Sequence, residues 1–88
     1  MKEKDLEKII KAIANRRRLA ILKYIDKSKE ARVSDIAEAI KLSFKATSKH
    51  LGILRAADIV DYEQRGVEYY YRLADPFPGL VRTALSHL

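Results

Sequence analysis

Lys45 and Lys49 stand one helical turn apart in the stretch SFKATSKHLGILRA, residues 43–56. Ser43, Phe44, Ala46, Ser48 and His50 surround them, and Gly52 and Ala56 follow. The stretch holds no carboxylate. Wound as a helix, it places Thr47, Leu51 and Leu54 on one side at the spacing of a buried stripe, leaving both lysines on the other. A solvated helix face ordinarily mixes both signs of charge. This face offers only cations, hydroxyls and small side chains. Such a face can bind a polyanion: ammonium groups suit phosphates or guanine edges, and serine hydroxyls bond backbone or bases. Gly52 and Ala56 leave room for a sugar-phosphate wall. For the two lysines taken alone, plain solvation remains the alternative.

Other chemistries find less support. His50 and His87 are the only histidines and cysteine is absent, so neither a closed metal site nor a disulfide is expected. Ser48 and His50 diverge by about 200° around a helix, and no nucleophile is paired with a base and an orienting acid. No glycine-rich loop precedes a helix. The sequence therefore points away from an enzyme and requires no cofactor. His50 falls at the edge of the helix, against phosphate or the body of the domain, and His87 at an interface or the surface.

The elements that must position these residues follow from hydrophobic period. Leu6, Ile9, Ile10 and Ile13 mark one helix, and Asn15 caps a second through Leu19, Ile21, Leu22 and Ile25. The polar loop DKSKEAR ends that helix near Asp26. Ser34 is an N-cap candidate for a third, with Val33, Ile36, Ala37 and Ile40 as its stripe. Lys41 and Leu42 make a short turn, and Ser43 caps the helix 43–57. The period then changes to 2. Val67, Tyr69, Tyr71 and Leu73 share one strand face, and Ile59–Glu63 supplies an antiparallel partner. Gln64, Arg65 and Gly66 form the tip, Gly66 taking the positive φ a hairpin needs. Asp75–Pro76 opens a last helix with Leu80, Val81, Ala84, Leu85 and Leu88 on one side. The fold class is mainly α with a small β-hairpin: a winged helix-turn-helix of five helices and a two-stranded wing, in one domain over 1–88.

Composition agrees. Lysine and arginine total 18 against 12 acids, a net charge of +6 that suits a nucleic acid or an anionic surface. No apolar run approaches the roughly 20 residues that cross a bilayer, so no membrane partner and a cytoplasmic location are expected. A chain of 88 residues buries a limited core. The stripes Leu6, Ile9, Ile10 and Leu80, Val81, Ala84, Leu85, Leu88 exceed it and predict a homodimer, which would set two helices 43–57 about 34 Å apart. Capping of the monomer core by the same helices is the alternative. Arg16, Arg17 and Arg18 open a helix whose dipole disfavours them; they face phosphate or pair with acids such as Glu7. The tyrosines give a thin hairpin apolar area against the helices, and Tyr70 faces the other way.

The string SKHLGILRAADIV, Ser48 to Val60, with RLAIL at Arg18 to Leu22, resembles the ArsR family of winged-helix transcriptional repressors. The likeness runs across nearly the whole chain. It implies a dimeric repressor that binds palindromic operator DNA through helix 43–57 and the wing around 64–67, where Arg65 and Gly66 lie. It also implies release by an inducer, often a metal held by cysteines near that helix or by acid and histidine ligands on the last one. This chain lacks the cysteines and offers only His87 on its last helix, so metal sensing is not expected and the inducer stays open. Lys41 replaces a glycine common at the turn. Phe44 replaces a polar base-contacting residue and suggests contact with a thymine methyl. The rival reading is a winged helix that binds protein or RNA.

Overall fold

Asn15 restarts the chain after the first helix. Its Oδ1 accepts from the backbone N–H of Arg17 (2.9 Å) and Arg18 (3.1 Å), two donors a helix start leaves unpaired. The computed structural model describes all residues, Met1–Leu88. α1 (Glu3–Ile13) and α2 (Arg16–Ser28) precede a short strand β1 (Ala31–Arg32), then α3 (Val33–Ile40) and α4 (Phe44–Ala56). β2 (Val60–Arg65) and β3 (Glu68–Leu73) form the hairpin, and α5 (Gly79–Leu85) closes the chain.

Both ends of α4 are set by backbone geometry. Lys41 is left-handed (φ 57°, ψ 50°), and the N–H groups of Lys41 and Leu42 return to the carbonyls of Glu38 and Ala37. Ser43 then caps α4 by accepting from Ala46 N–H at 3.1 Å, while Thr47 Oγ1 donates to the Ser43 carbonyl at 2.8 Å. At the far end Asp58 is left-handed too (φ 57°), with Ile59 N–H bonded to the Leu54 carbonyl. Each is the reversal that ends a helix and frees the chain to change direction. Between them Thr47, Leu51 and Leu54 are buried without exposure, against a core that includes Ile21, Leu22, Ile25 and Ile36.

The hairpin is antiparallel with Tyr62 opposite Tyr71, and Gly66 takes φ 64° at its tip. The tyrosines of one face stack on one another. Tyr62 lies 4.7 Å from Tyr69 and 5.3 Å from Tyr71 between ring centroids, and Arg55 of α4 covers Tyr62 at 4.3 Å. Tyr71 is buried, so the hairpin gains an apolar underside as expected.

Five expectations need correction. The sheet has three strands in the order β1-β3-β2, because Ala31 and Arg32 pair with Tyr71 and Tyr70. The segment read as a polar loop from Asp26 instead continues α2 to Ser28. α3 begins at Val33, with Arg32 at the cap position and no side-chain cap, so Ser34 lies inside the helix. Val67 belongs to the turn and is 95% exposed rather than on the buried strand face. α5 begins at Gly79, three residues beyond Asp75–Pro76.

A lysine in the left-handed region carries strain that glycine does not. Lys41→Gly should raise stability by about 0.5–1 kcal/mol, after allowing for glycine's greater unfolded freedom. A thermal melt of the two proteins checks this; a lower midpoint for the variant would refute the left-handed turn.

Candidate nucleic-acid interface

Phe44 opens the exposed face of α4 with 61% of its surface in solvent. One and five residues on, Lys45 and Lys49 are exposed and make no ion pair with any carboxylate of the chain. A Cβ built on Gly52 would meet nothing within 4 Å, so this side of the helix is open. Ala46 and Ser48 are half-buried on its flanks, and Ala56 is exposed at its end. The Ser43 hydroxyl is exposed but its oxygen already serves the cap, leaving its proton to donate outward.

His50 turns toward the body of the domain. Arg18 NH1 lies 3.2 Å from His50 Nδ1, and the same guanidinium donates to the carbonyls of Ala12 and Lys11 at the end of α1. An arginine has only donors, so Nδ1 accepts and the ring is neutral with its proton on Nε2. Burial pushes the imidazole below its ordinary value, and the charges of Arg18, Arg17 and Lys49 push the same way. His50 thus commits its Nδ1 to the body of the domain, leaving only the Nε2–H as a donor. Arg18 is likewise spoken for, since it satisfies carbonyls that the end of α1 leaves unpaired.

The wing tip differs most from expectation. Arg65 donates through NH1 and NH2 to both oxygens of Glu30, at 3.0 and 2.9 Å, and through Nε to Glu63 at 2.7 Å. Its guanidinium also covers Tyr70 at 4.3 Å. It is not a bare cation; it ties the hairpin to the segment after α2, and Glu30 is held below the usual carboxylate range in return. A second clamp repeats the pattern. Arg32 makes paired bonds to Asp35 at 2.9 and 3.0 Å and reaches Glu68 on β3 at 3.1 Å. Sequence inspection missed both clamps. Arg32 and Asp35 at i, i+3 carried a local signal, whereas Glu30 and Arg65 are thirty-five positions apart and carried none.

The apolar stripes of the first and last helices divide. Ile9, Val81 and Leu85 are buried within the chain itself, contrary to their assignment to an interface, and Ala84 is half-buried. Leu6, Ile10, Leu80 and Leu88 remain 39%, 45%, 40% and 59% exposed. No three histidine or carboxylate side chains converge on a point that could hold a metal. No helix is long and apolar enough to cross a membrane.

Against known proteins, residues 15–62 match the model of the bacterial regulatory protein arsR family. The chain is similar to a transcriptional repressor SmtB homolog from Synechocystis, 34% identical over 85 residues, covering 96% of this chain and 64% of that relative. It therefore spans less than two thirds of that relative's length. Among solved structures it is similar to NolR from Sinorhizobium fredii, with TM-score 0.82, 30% identity, and coverage of 96% of this chain and 80% of that one. It is also similar to the homodimeric winged helix-turn-helix DNA-binding domain of a Mycobacterium bovis protein. There the TM-score is 0.80 and the identity 29%, over 94% of this chain and 73% of that one.

A neutral His50 held below its unfolded value makes stability depend on pH. The unfolded chain binds the proton first, so stability is lost as pH falls through about 6.5 toward the folded value. Melting temperatures between neutral pH and the onset of carboxylate protonation should fall for the wild type. They should fall less for His50→Gln; equal slopes would refute the neutral, Arg18-bonded state of His50.

Proposed function

The chain belongs to the arsR family of bacterial regulatory proteins, and from that premise we propose that it is a DNA-binding transcriptional regulator. α4 enters the major groove, which admits one helix whose facing side chains are small or reach phosphates and base edges. The observation that carries this reading is the exposure of Lys45 and Lys49, unpaired, on a helix fixed at both ends. Phe44 stands at its leading end, where residues of such helices meet base edges, and brings an apolar surface suited to a thymine methyl. Ser43 and Ser48 supply hydroxyls beside it. The wing lies along the flanking backbone, with Gly66 and Val67 at its tip. There Arg65 holds the hairpin at a set angle through Glu30 and Glu63. The family is one of transcriptional regulators, and no catalytic role is assigned.

The finer reading is a homodimeric repressor on a palindromic operator. Leu6, Ile10, Leu80 and Leu88 give the exposed apolar area for a two-fold contact, which a small domain gains by covering. Two copies would present two α4 helices to half-sites about one turn apart.

Selection of bound duplexes from a random pool should return a palindrome with that spacing. Lys45→Ala with Lys49→Ala should weaken binding to the selected duplex and flatten the dependence of log K on log salt by about 1 for each phosphate no longer neutralised. No preference over random DNA at physiological salt would favour a protein- or RNA-binding module instead. Leu6→Asp with Leu80→Asp should shift the sedimentation coefficient to that of a monomer and weaken operator binding. An unchanged coefficient would exclude these residues from the two-fold interface.

A further inference from the structure

Five cations of the chain surround a groove that the reading of α4 does not use. Arg16, Arg17, Lys23 and Lys27 of α2 face Lys41 of the α3–α4 turn across a cavity of about 580 Å³. All five are exposed, none is ion-paired, and no acid lines the groove. Four arginines around the sheet and α5 contrast with this: Arg32, Arg55, Arg65 and Arg82 each have a carboxylate partner, whereas this groove gathers five unpaired cations and no acid. Arg16 and Arg17 also occupy the first turn of a helix with no acid there, where the dipole repels them. A folded domain tolerates such a concentration of like charge most readily when an anion is to be placed in it.

The shape says which anion. Arg16, Lys23 and Lys27 recur at i, i+7 and i+11, one face of α2, over about 16 Å of helix. Ala20, Ala39 and Ile40 give the groove an apolar floor beneath the charged rim. A single small anion would need one point of convergence, which a row of this length lacks. A strand of duplex carries a phosphate for about every 3.4 Å of axis and presents sugars between them, matching a cationic rim over an apolar floor. The groove also adjoins α4, since Arg17 is near enough to act on the charge of His50, and Lys41 is three residues ahead of Phe44.

We propose that the groove between α2 and the α3–α4 turn is a second DNA-binding surface, one that takes the sugar-phosphate backbone beside the segment read by α4. This inference rests on the DNA-binding reading. It adds an attraction without sequence preference that sets affinity and salt dependence, while α4 sets specificity.

The test uses the full chain and its Arg17→Gln, Lys23→Gln, Lys27→Gln variant, titrated against random-sequence duplex of roughly 30 base pairs, about three turns. These side chains are exposed, and a thermal melt verifies that the variant folds. The slope of log K against log salt should become shallower by about 0.9 for each phosphate the variant fails to neutralise. The ratio of affinities for the selected and the random duplex should stay unchanged. Arg17→Lys with Lys23→Arg and Lys27→Arg should keep the wild-type slope. A wild-type slope in the glutamine variant, alongside an intact duplex preference in the wild type, would overturn this inference and leave the role of α4 standing. Loss of the preference ratio would overturn it too, because the groove would then act through α4. Competition by polyglutamate as effective as duplex would assign the groove to an acidic protein instead.

Discussion

A helix whose only buried residues are Thr47, Leu51 and Leu54 is held from one side, and what surrounds α4 answers to that constraint. Three side chains cannot by themselves set both its tilt and its rotation. The left-handed residues Lys41 and Asp58 fix where it begins and ends. Thr47 illustrates how completely the inner face is sealed: its hydroxyl is buried, yet it donates to the Ser43 carbonyl, so no polar atom is stranded in the core. Arg18 braces the middle of the helix through His50 while holding the end of α1. The outer face carries none of this burden, which is why it can be left to Phe44, the two lysines and small residues.

The charges are segregated by partner as well as by sign. Three guanidinium groups near the sheet are clamped, Arg32 by Asp35 and Glu68, Arg65 by Glu30 and Glu63, and Arg55 near Asp61 at 3.7 Å, while Arg72 of β3 has no carboxylate partner. These pairs are exposed, and solvent screening leaves pairs of that kind little net effect on stability. Their effect is therefore better described as orientation than as stability. They hold the hairpin against β1 and α3, so its tip keeps a defined position relative to α4. Arg16, Arg17, Lys23 and Lys27 of α2, Lys41 of the turn, and Lys45 and Lys49 of α4 have no carboxylate partner.

The core follows the same division of labour. Ile9, Val81 and Leu85 join it, so the first and last helices are partly packed onto the domain before any second copy arrives. What remains for a partner is a set of single exposed residues, Leu6 and Ile10 on α1 and Leu80 on α5, with Leu88 beyond it, in place of whole helix faces. Such a surface is compatible with a chain that folds alone and then associates.

Much of this was legible from residue order alone, because helix period, capping side chains and a glycine at a hairpin tip are local signals. The stripe of α4, the Asn15 and Ser43 caps, the turn at Lys41 and the hairpin at Gly66 depend on neighbours within a few positions. The strand at Ala31–Arg32 was not legible: two residues show no period, and their pairing with Tyr70 and Tyr71 comes from a segment far along the chain. The same holds for Arg65. Its type and place at the tip were plain, but its commitment to Glu30 depends on how the hairpin folds back over the end of α2. Sequence determined which residues are basic and which helix face they occupy. Only the tertiary structure decided which of those charges stay available, because ion pairing depends on distances that chain order does not encode.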